Sequence, residues 1–219
     1  MKKKNSTAQR KKVKFDNKHL NDPKIKKVYL TFKKQLYSQI KNEKFCIGVS
    51  GGPDSLALAF LCKIFSKEFN SKFIALIIDH NLRKQSGIEA RKVKIILTKH
   101  KIRTKILTWK GKIPKSNIQF NARNIRYFLL KKECNKLNIK NLVLAHHEGD
   151  LIENFFIRLF RGSGLKGLSS LNIKRHSEDN ILNLIRPLIN TKKDELIYIS
   201  KKVFKFYLTD PSNFKEKFL

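Results

Sequence analysis

The sequence predicts an α/β protein: a parallel, doubly wound sheet with helices on both faces. Segments that are apolar throughout, such as "FIALII" (Phe73–Ile78), alternate with longer segments whose apolar residues recur at a helical period. Apolar strands that are each followed by a helix describe a parallel sheet covered on both sides. With 219 residues, 41% of them hydrophobic, the chain can fill one substantial core.

Residues 1–23 are polar, strongly basic and without periodicity, and read as a flexible arm ahead of a single domain, 24–219. From Lys24, the residues Ile25, Val28, Leu30, Phe32, Leu36 and Ile40 keep a roughly helical spacing. Then "KFCIGV" (44–49) reads as a strand, "DSLALAFLCKIFSKEF" (54–69) as a helix and "KFIALIID" (72–79) as a strand. "GIEARKVKIILTKH" (87–100) is helical, "TKILTW" (104–109) a strand, and "QFNARNIRYFLLKKECNKL" (119–137) a longer helix. "NLVLAH" (141–146) and "DLIENFFIRLF" (150–160) repeat the pattern, as do "NILNLIRPL" (180–188) and "KKDELIYISKKV" (192–203).

Charge is the dominant compositional feature: 49 Lys and Arg against 17 Asp and Glu, a formal net charge of +32. Such an excess concentrates polyanions, so nucleic acid is the first partner it suggests. Codon bias of an A+T-rich genome is the competing explanation for part of the lysine. Cys46, Cys62 and Cys134 lie far apart with no C-x-x-C pair, which argues against a zinc or iron–sulfur site and against a disulfide framework. The apolar runs are too short to cross a bilayer, and the basic N-terminus lacks the apolar stretch of a signal peptide. A reducing cytoplasm of bacterial type, or an organelle stroma or matrix, fits.

The chemistry concentrates in "SGGPDS", Ser50 to Ser55, at the carboxyl end of the first strand. In doubly wound folds that edge holds the ligand. Gly51 and Gly52 permit a tight turn and a close approach, and the free N–H groups opening the next helix attract phosphate. Ser50 and Ser55 offer hydroxyl donors; Asp54 can hold magnesium or cap the helix. The loop has no lysine and is no G-x-x-x-x-G-K motif. A literal G-x-G-x-x-G at Gly162, Gly164 and Gly167 follows a helix rather than a strand, so its dinucleotide reading fails.

S-G-G-x-D-S resembles the pyrophosphatase loop of N-type ATP pyrophosphatases, the PP-loop superfamily, whose sheet is Rossmann-like. Four further segments resemble tRNA(Ile)-lysidine synthetases. They are "IDHNLRKQSGIEA" (78–90), "NIQFNARNIRYFLL" (117–130), "LAHHEGDLIENFFIRLFRGSGLKGLSSL" (144–171), and "RPLINTKKDEL" with "DPSN" (Asp210–Asn213). Where that family pairs two aspartates, this chain has Gly149-Asp150, so one carboxylate is missing. The resemblance covers the family's N-terminal catalytic domain; the family continues into an Arg-rich helix and further tRNA-binding parts.

The resemblance implies a ligase that converts the wobble cytidine of a CAU-anticodon tRNA(Ile) to lysidine, using ATP, Mg2+ and L-lysine. ATP adenylates the cytosine C2 oxygen, and the lysine amine then displaces AMP. Ser50, Gly51, Gly52, Pro53, Asp54 and Ser55 would bind ATP, with Asp54 and Asp150 on the metal. Arg123 would stabilise charge at the α-phosphate, helped by Arg126 three residues on. Asp150 and Glu153, also three apart, would serve lysine and its deprotonation. Asp79, His80, His147, Arg126, Arg158, Arg161 and Arg186 are the further substrate-binding candidates, the last three for tRNA phosphates. Two rivals remain at this level: a tRNA 2-thiolation enzyme sharing the loop, and a catalytically impaired tRNA-binding remnant.

Overall fold

The computed structural model describes residues 18–81, 85–112, 116–160, 174–176 and 182–208; side chains at 119, 154, 157–159 and 174–176 are outside the description. The elements in chain order are α1 (Pro23–Ile40), β1 (Phe45–Val49), α2 (Pro53–Glu68), β2 (Phe73–Asp79), α3 (Ser86–Lys99) and β3 (Thr104–Thr108). They continue as α4 (Ile118–Lys136), β4 (Asn141–Val143), α5 (Glu148–Phe160), β5 (Lys174–His176), β6 (Asn183–Ile185) and α6 (Lys193–Phe204).

The sheet order is β3-β2-β1-β4-β6-β5. Every pairing is parallel except β5 against β6, which is antiparallel with Arg175 opposite Leu184. The sequence reading contains five strands and not β5, because "KRH" carries no apolar signal. The chain builds outward from β1 to β3, returns, and adds β4 on the other side of β1. That reversal creates a crevice between the carboxyl ends of β1 and β4, where ligands bind in this architecture.

Strand alternation divides the core in two. Phe45, Ile47 and Val49 of β1, with Ala75 and Ile77 of β2, face the layer formed by α1, α2, α3 and α6. Cys46, Ile74, Leu76 and Leu142 point the other way, onto Leu130 and Cys134 of α4. A helix crossing between β1 and β3 lies on one face, whereas α4, which leads back to β4, covers the opposite one.

The basic arm ends earlier than its composition suggests. Lys18–Asn21 form a 3-10 turn, and His19 packs edge-on to Phe60 with ring centroids 5.7 Å apart. Asp22 caps α1, its Oδ1 accepting from the amides of Lys24 at 2.9 Å and Ile25 at 3.3 Å. Its Oδ2 accepts from Tyr198 of α6 at 2.6 Å. Residues 18–22 thus belong to the folded domain, and the rest of the expected arm, 1–17, is outside the described residues.

Candidate functional site

The loop after β1 has a closed internal network. Gly51 and Ser50 donate their amides to Ser55 Oγ at 3.1 and 3.2 Å, and that hydroxyl donates to Gly52 O at 3.0 Å. Ser55 is 5% exposed, so its hydroxyl shapes the loop from inside; the sequence reading of a donor offered to the ligand does not match this position. Ser50 remains exposed.

The adjacent glycines meet different demands. Gly51 has φ +91°, and a Cβ there would come within 2.5 Å of Val93 Cγ2 and 2.7 Å of Leu208 Cδ1. A Cβ on Gly52 would meet only Ser50 Oγ, at 3.6 Å. The protein therefore explains Gly51, whereas the open space above Gly52 is a cradle that suits a ligand approaching the backbone. Pro53 opens α2, and Leu56 makes the first helical bond, to Gly52 O at 3.1 Å. The amides of Asp54 and Ser55 are thus left for a partner at the positive end of the helix. From behind, Ser200 of α6 donates to Pro53 O and pins the loop.

The β4 loop closes the other side of the crevice. His147 is 6% exposed, and its backbone bridges to Leu188. Its amide donates to Asp150 Oδ2 at 2.8 Å, and Gly149 N–H donates to its Nδ1 at 3.0 Å. With Nδ1 accepting, the neutral imidazole carries its proton on Nε2. That nitrogen lies 3.7 Å from Asp54 Oδ2 and 3.7 Å from Asp150 Oδ2. One imidazole thus joins the carboxylates of two loops that are far apart in sequence.

Asp54 has the most unusual electrostatics of the site. Its Oδ1 is buried and has no hydrogen-bond partner. Burial raises its carboxyl above the usual value; His147 and Lys193 pull it down, and Asp150 pushes it up. An orphaned carboxylate oxygen is a donor that a divalent cation could take, so Asp54 fits the role of a metal ligand. Among the described residues no cluster of three or more His, Cys, Asp or Glu could hold a metal, so phosphate and water would have to complete its shell.

Behind this pair, Arg186 is only 3% exposed and donates Nε to His146 Nδ1 at 3.2 Å. The expectation of a tRNA phosphate contact is corrected by that burial: "RPL" closes the last parallel strand, so its arginine points into the crevice wall. Burial first, then the Arg186 cation, lowers His146 to about 4, which keeps it neutral.

The remaining candidates separate. Asp79 is 7% exposed and already satisfied. It accepts from Ser86 Oγ at 2.7 Å, Asn81 N at 3.0 Å and Thr108 Oγ1 at 3.4 Å. It therefore organises the β2 loop, which places it differently from the substrate contact read in the sequence. His80 is half-buried with Nδ1 unpartnered; burial and then Arg126 lower its pKa. Arg123 and Arg126 are exposed on α4, the Arg123 guanidinium lying 5.3 Å from the Tyr127 ring centre. Both depress His146 electrostatically, which brings the first half of α4 to the crevice. Glu153 is exposed on α5, one turn beyond Asp150. The Arg158 side chain and Arg161 are outside the described residues. Sequence reasoning missed Lys193, whose charge reaches Asp54 from the start of α6; "KKDEL" belongs to a segment that resembles the family, yet nothing local ties it to the loop.

Known proteins bear on this arrangement. The chain is 43% identical over 180 residues to the tRNA(Ile)-lysidine synthase of Orientia tsutsugamushi, covering 82% of this chain and 40% of that protein. It is 40% identical over 176 residues to the synthase of the same name from Rickettsia bellii, covering 80% and 40%. The chain thus spans about two fifths of the length of these relatives. The U34-tRNA thiolase NcsA of Methanococcus maripaludis superposes with a TM-score of 0.74 at 22% identity, over 87% of this chain and 67% of that one, a likeness of fold alone. An ATP-binding family model described as the PP-loop domain matches residues 25–219, and the chain belongs to that family.

Proposed function

We propose that this protein forms lysidine at the wobble cytidine of a CAU-anticodon tRNA(Ile), using ATP and L-lysine. One observation carries the reading: Asp54 and Asp150 converge on Nε2 of His147, each at 3.7 Å, at the switch point of the sheet. The names of relatives at 40 to 43% identity support it.

In this reading the phosphate chain of ATP lies over Gly52, taking the amides of Asp54 and Ser55 at the start of α2. The cytosine C2 oxygen attacks the α-phosphorus, and the bond to pyrophosphate breaks. Arg123 and Arg126 meet the negative charge that builds at that phosphate. Lysine's ε-amine then attacks C2, the C–O bond to AMP breaks, and the amine proton passes to Asp150 or Glu153. His147 would sit between the two aspartates, its Nε2 3.7 Å from a carboxylate oxygen of each. Asp54 and Asp150 would hold Mg2+, which when bound neutralises phosphate charge. Lys193 would offset the charge of Asp54 in its absence.

A cysteine-dependent thiolation is disfavoured, because Cys46, Cys62 and Cys134 are all fully buried and free, away from the crevice. No helix among the described residues is long and apolar enough to cross a membrane; we place the reaction in a bacterial-type cytoplasm, or an organelle stroma or matrix. Residues 1–17, with Lys2, Lys3, Lys4, Arg10, Lys11, Lys12 and Lys14 against Asp16, would add phosphate contacts that read no bases.

The test is lysine-dependent pyrophosphate release with the cognate tRNA. Asp54→Ala should abolish it while the circular dichroism spectrum stays unchanged. Full turnover in that variant would remove the assignment.

A further inference from the structure

Away from the crevice, at the outer edge of the sheet, a groove of about 440 Å³ lies between β3 and α4. Ile106, Thr108, Trp109, Phe128, Lys132 and Lys136 line it. We propose that this groove is a second RNA-contacting surface, where unpaired bases stack on Trp109 and Phe128 while Lys110, Lys132 and Lys136 hold phosphates. The inference rests on RNA being the substrate, but not on the chemistry at Asp54.

Phe128 is exposed and Trp109 half-buried, and both rings are held in place. Phe128 is 54% exposed. Its ring meets the Trp109 indole edge to face, with centroids 6.1 Å apart. The indole is fixed in turn, since Nε1 donates to Lys112 O at 3.1 Å. Aromatic rings that keep part of a face in solvent are what single-stranded nucleic acid stacks upon, without regard to sequence.

Charge selects the partner. Phe128, Lys132 and Lys136 are spaced four apart and form one stripe along α4. Lysines at that spacing repel each other, and among the described residues no carboxylate lies within ion-pair distance of Lys110, Lys132 or Lys136. The acid in the groove, Glu133, is neutralised by Lys105 at 2.6 Å. The rim therefore presents uncompensated positive charge around an apolar floor, which complements a polyanion with flat faces. A protein strand added to the open edge of β3 would satisfy the backbone but not these lysines.

Position links the groove to the crevice. β2 alone separates β3 from β1, a lateral offset of about 10 Å at the usual strand spacing. Trp109 follows β3 at the same carboxyl edge, its amide bonded to Asp79 O at 2.9 Å. α4 carries Arg123 and Arg126 upstream of the stripe, so one RNA strand can run from crevice to groove along a single helix.

Trp109 is the one tryptophan of the chain, so indole fluorescence reports the groove directly. The experiment titrates the full chain, without ATP, with a transcribed CAU-anticodon tRNA and with a 12-nucleotide single-stranded RNA. Indole fluorescence and labelled-RNA anisotropy are read together. Indole quenching at the anisotropy midpoint is expected. Lys132→Glu with Lys136→Glu should weaken binding more than tenfold and flatten the slope of log affinity against log salt by about 1.4, two contacts at roughly 0.7 each. Phe128→Ala should weaken binding severalfold with the slope unchanged. Unaltered affinity in these variants, or an indole that responds to a polyglutamate peptide and not to RNA, overturns the proposal. If Asp54→Ala still abolishes pyrophosphate release while the groove variants bind RNA normally, the groove fails alone. If the unaltered chain binds no RNA, the groove and the proposed substrate fall together.

Discussion

Gly149 and His147 are fitted to each other. The glycine amide donates to Nδ1 of the imidazole at 3.0 Å, and a Cβ on Gly149 would stand 2.8 Å from the ring's Cε1. Read in sequence, the glycine is a missing carboxylate. In the fold it is the space that lets His147 lie between Asp54 and Asp150.

Gly149→Ala should therefore displace the imidazole, because a Cβ 2.8 Å from Cε1 and 3.1 Å from Nδ1 leaves the ring no room in its observed place. Lysidine formation should fall at least tenfold, about 1.4 kcal/mol of barrier, with little change in melting temperature. A variant with full turnover would show that His147 does not need its observed place.

Gly51→Ala probes the backbone of the nucleotide loop. A left-handed φ on a residue with Cβ costs on the order of 1–3 kcal/mol, and the contacts with Val93 and Leu208 add to it. The melting temperature should drop by roughly 2–12 °C for a chain this size. Gly52→Ala, with no close protein neighbour, should leave stability nearly unchanged and weaken ATP binding instead. Differential scanning fluorimetry with and without ATP separates the two.

His146 should stay neutral across the physiological range, because burial and the Arg186 cation hold its pKa at about 4. An unfolded histidine protonates near 6.5. The unfolded chain thus takes up a proton that the folded chain refuses, and stability falls as pH drops from about 6.5 to 4. Arg186→Met removes the nearby cation and should raise the NMR titration midpoint of His146. An unshifted midpoint would mean that Arg186 does not act on this ring.

Asp22 gives linkage of the same sign at lower pH. The hydrogen bond from Tyr198 lowers its pKa most, and the amides of Ile25 and Lys24 lower it further. A depressed carboxyl stabilises the fold above its unfolded value of 3.8, and the contribution disappears as pH falls through the folded value. Tyr198→Phe should lower urea stability at pH 7, and the difference from the parent should shrink as pH falls below 3.8 and through the lowered folded value. A difference that persists in acid would assign the effect to packing.

Local pattern in the sequence was sufficient for the alternation of strands and helices, for the place of Ser50–Ser55 after the first strand, and for the two faces of the sheet. Each of these follows from side-chain periodicity and turn chemistry, which act over a few residues. The tertiary structure decided what those rules do not reach. β5 forms on a polar triplet because the edge of β6 is there to pair with it. Ser55 and Asp79 turn inward because neighbouring amides and hydroxyls need acceptors. Arg186 is enclosed by the fold, although its sequence neighbourhood gives no sign of burial. Above all, Asp54, His147 and Lys193 come together only because the chain reverses direction beside β1; strand order, which no local spacing encodes, sets their distances and hence their charges.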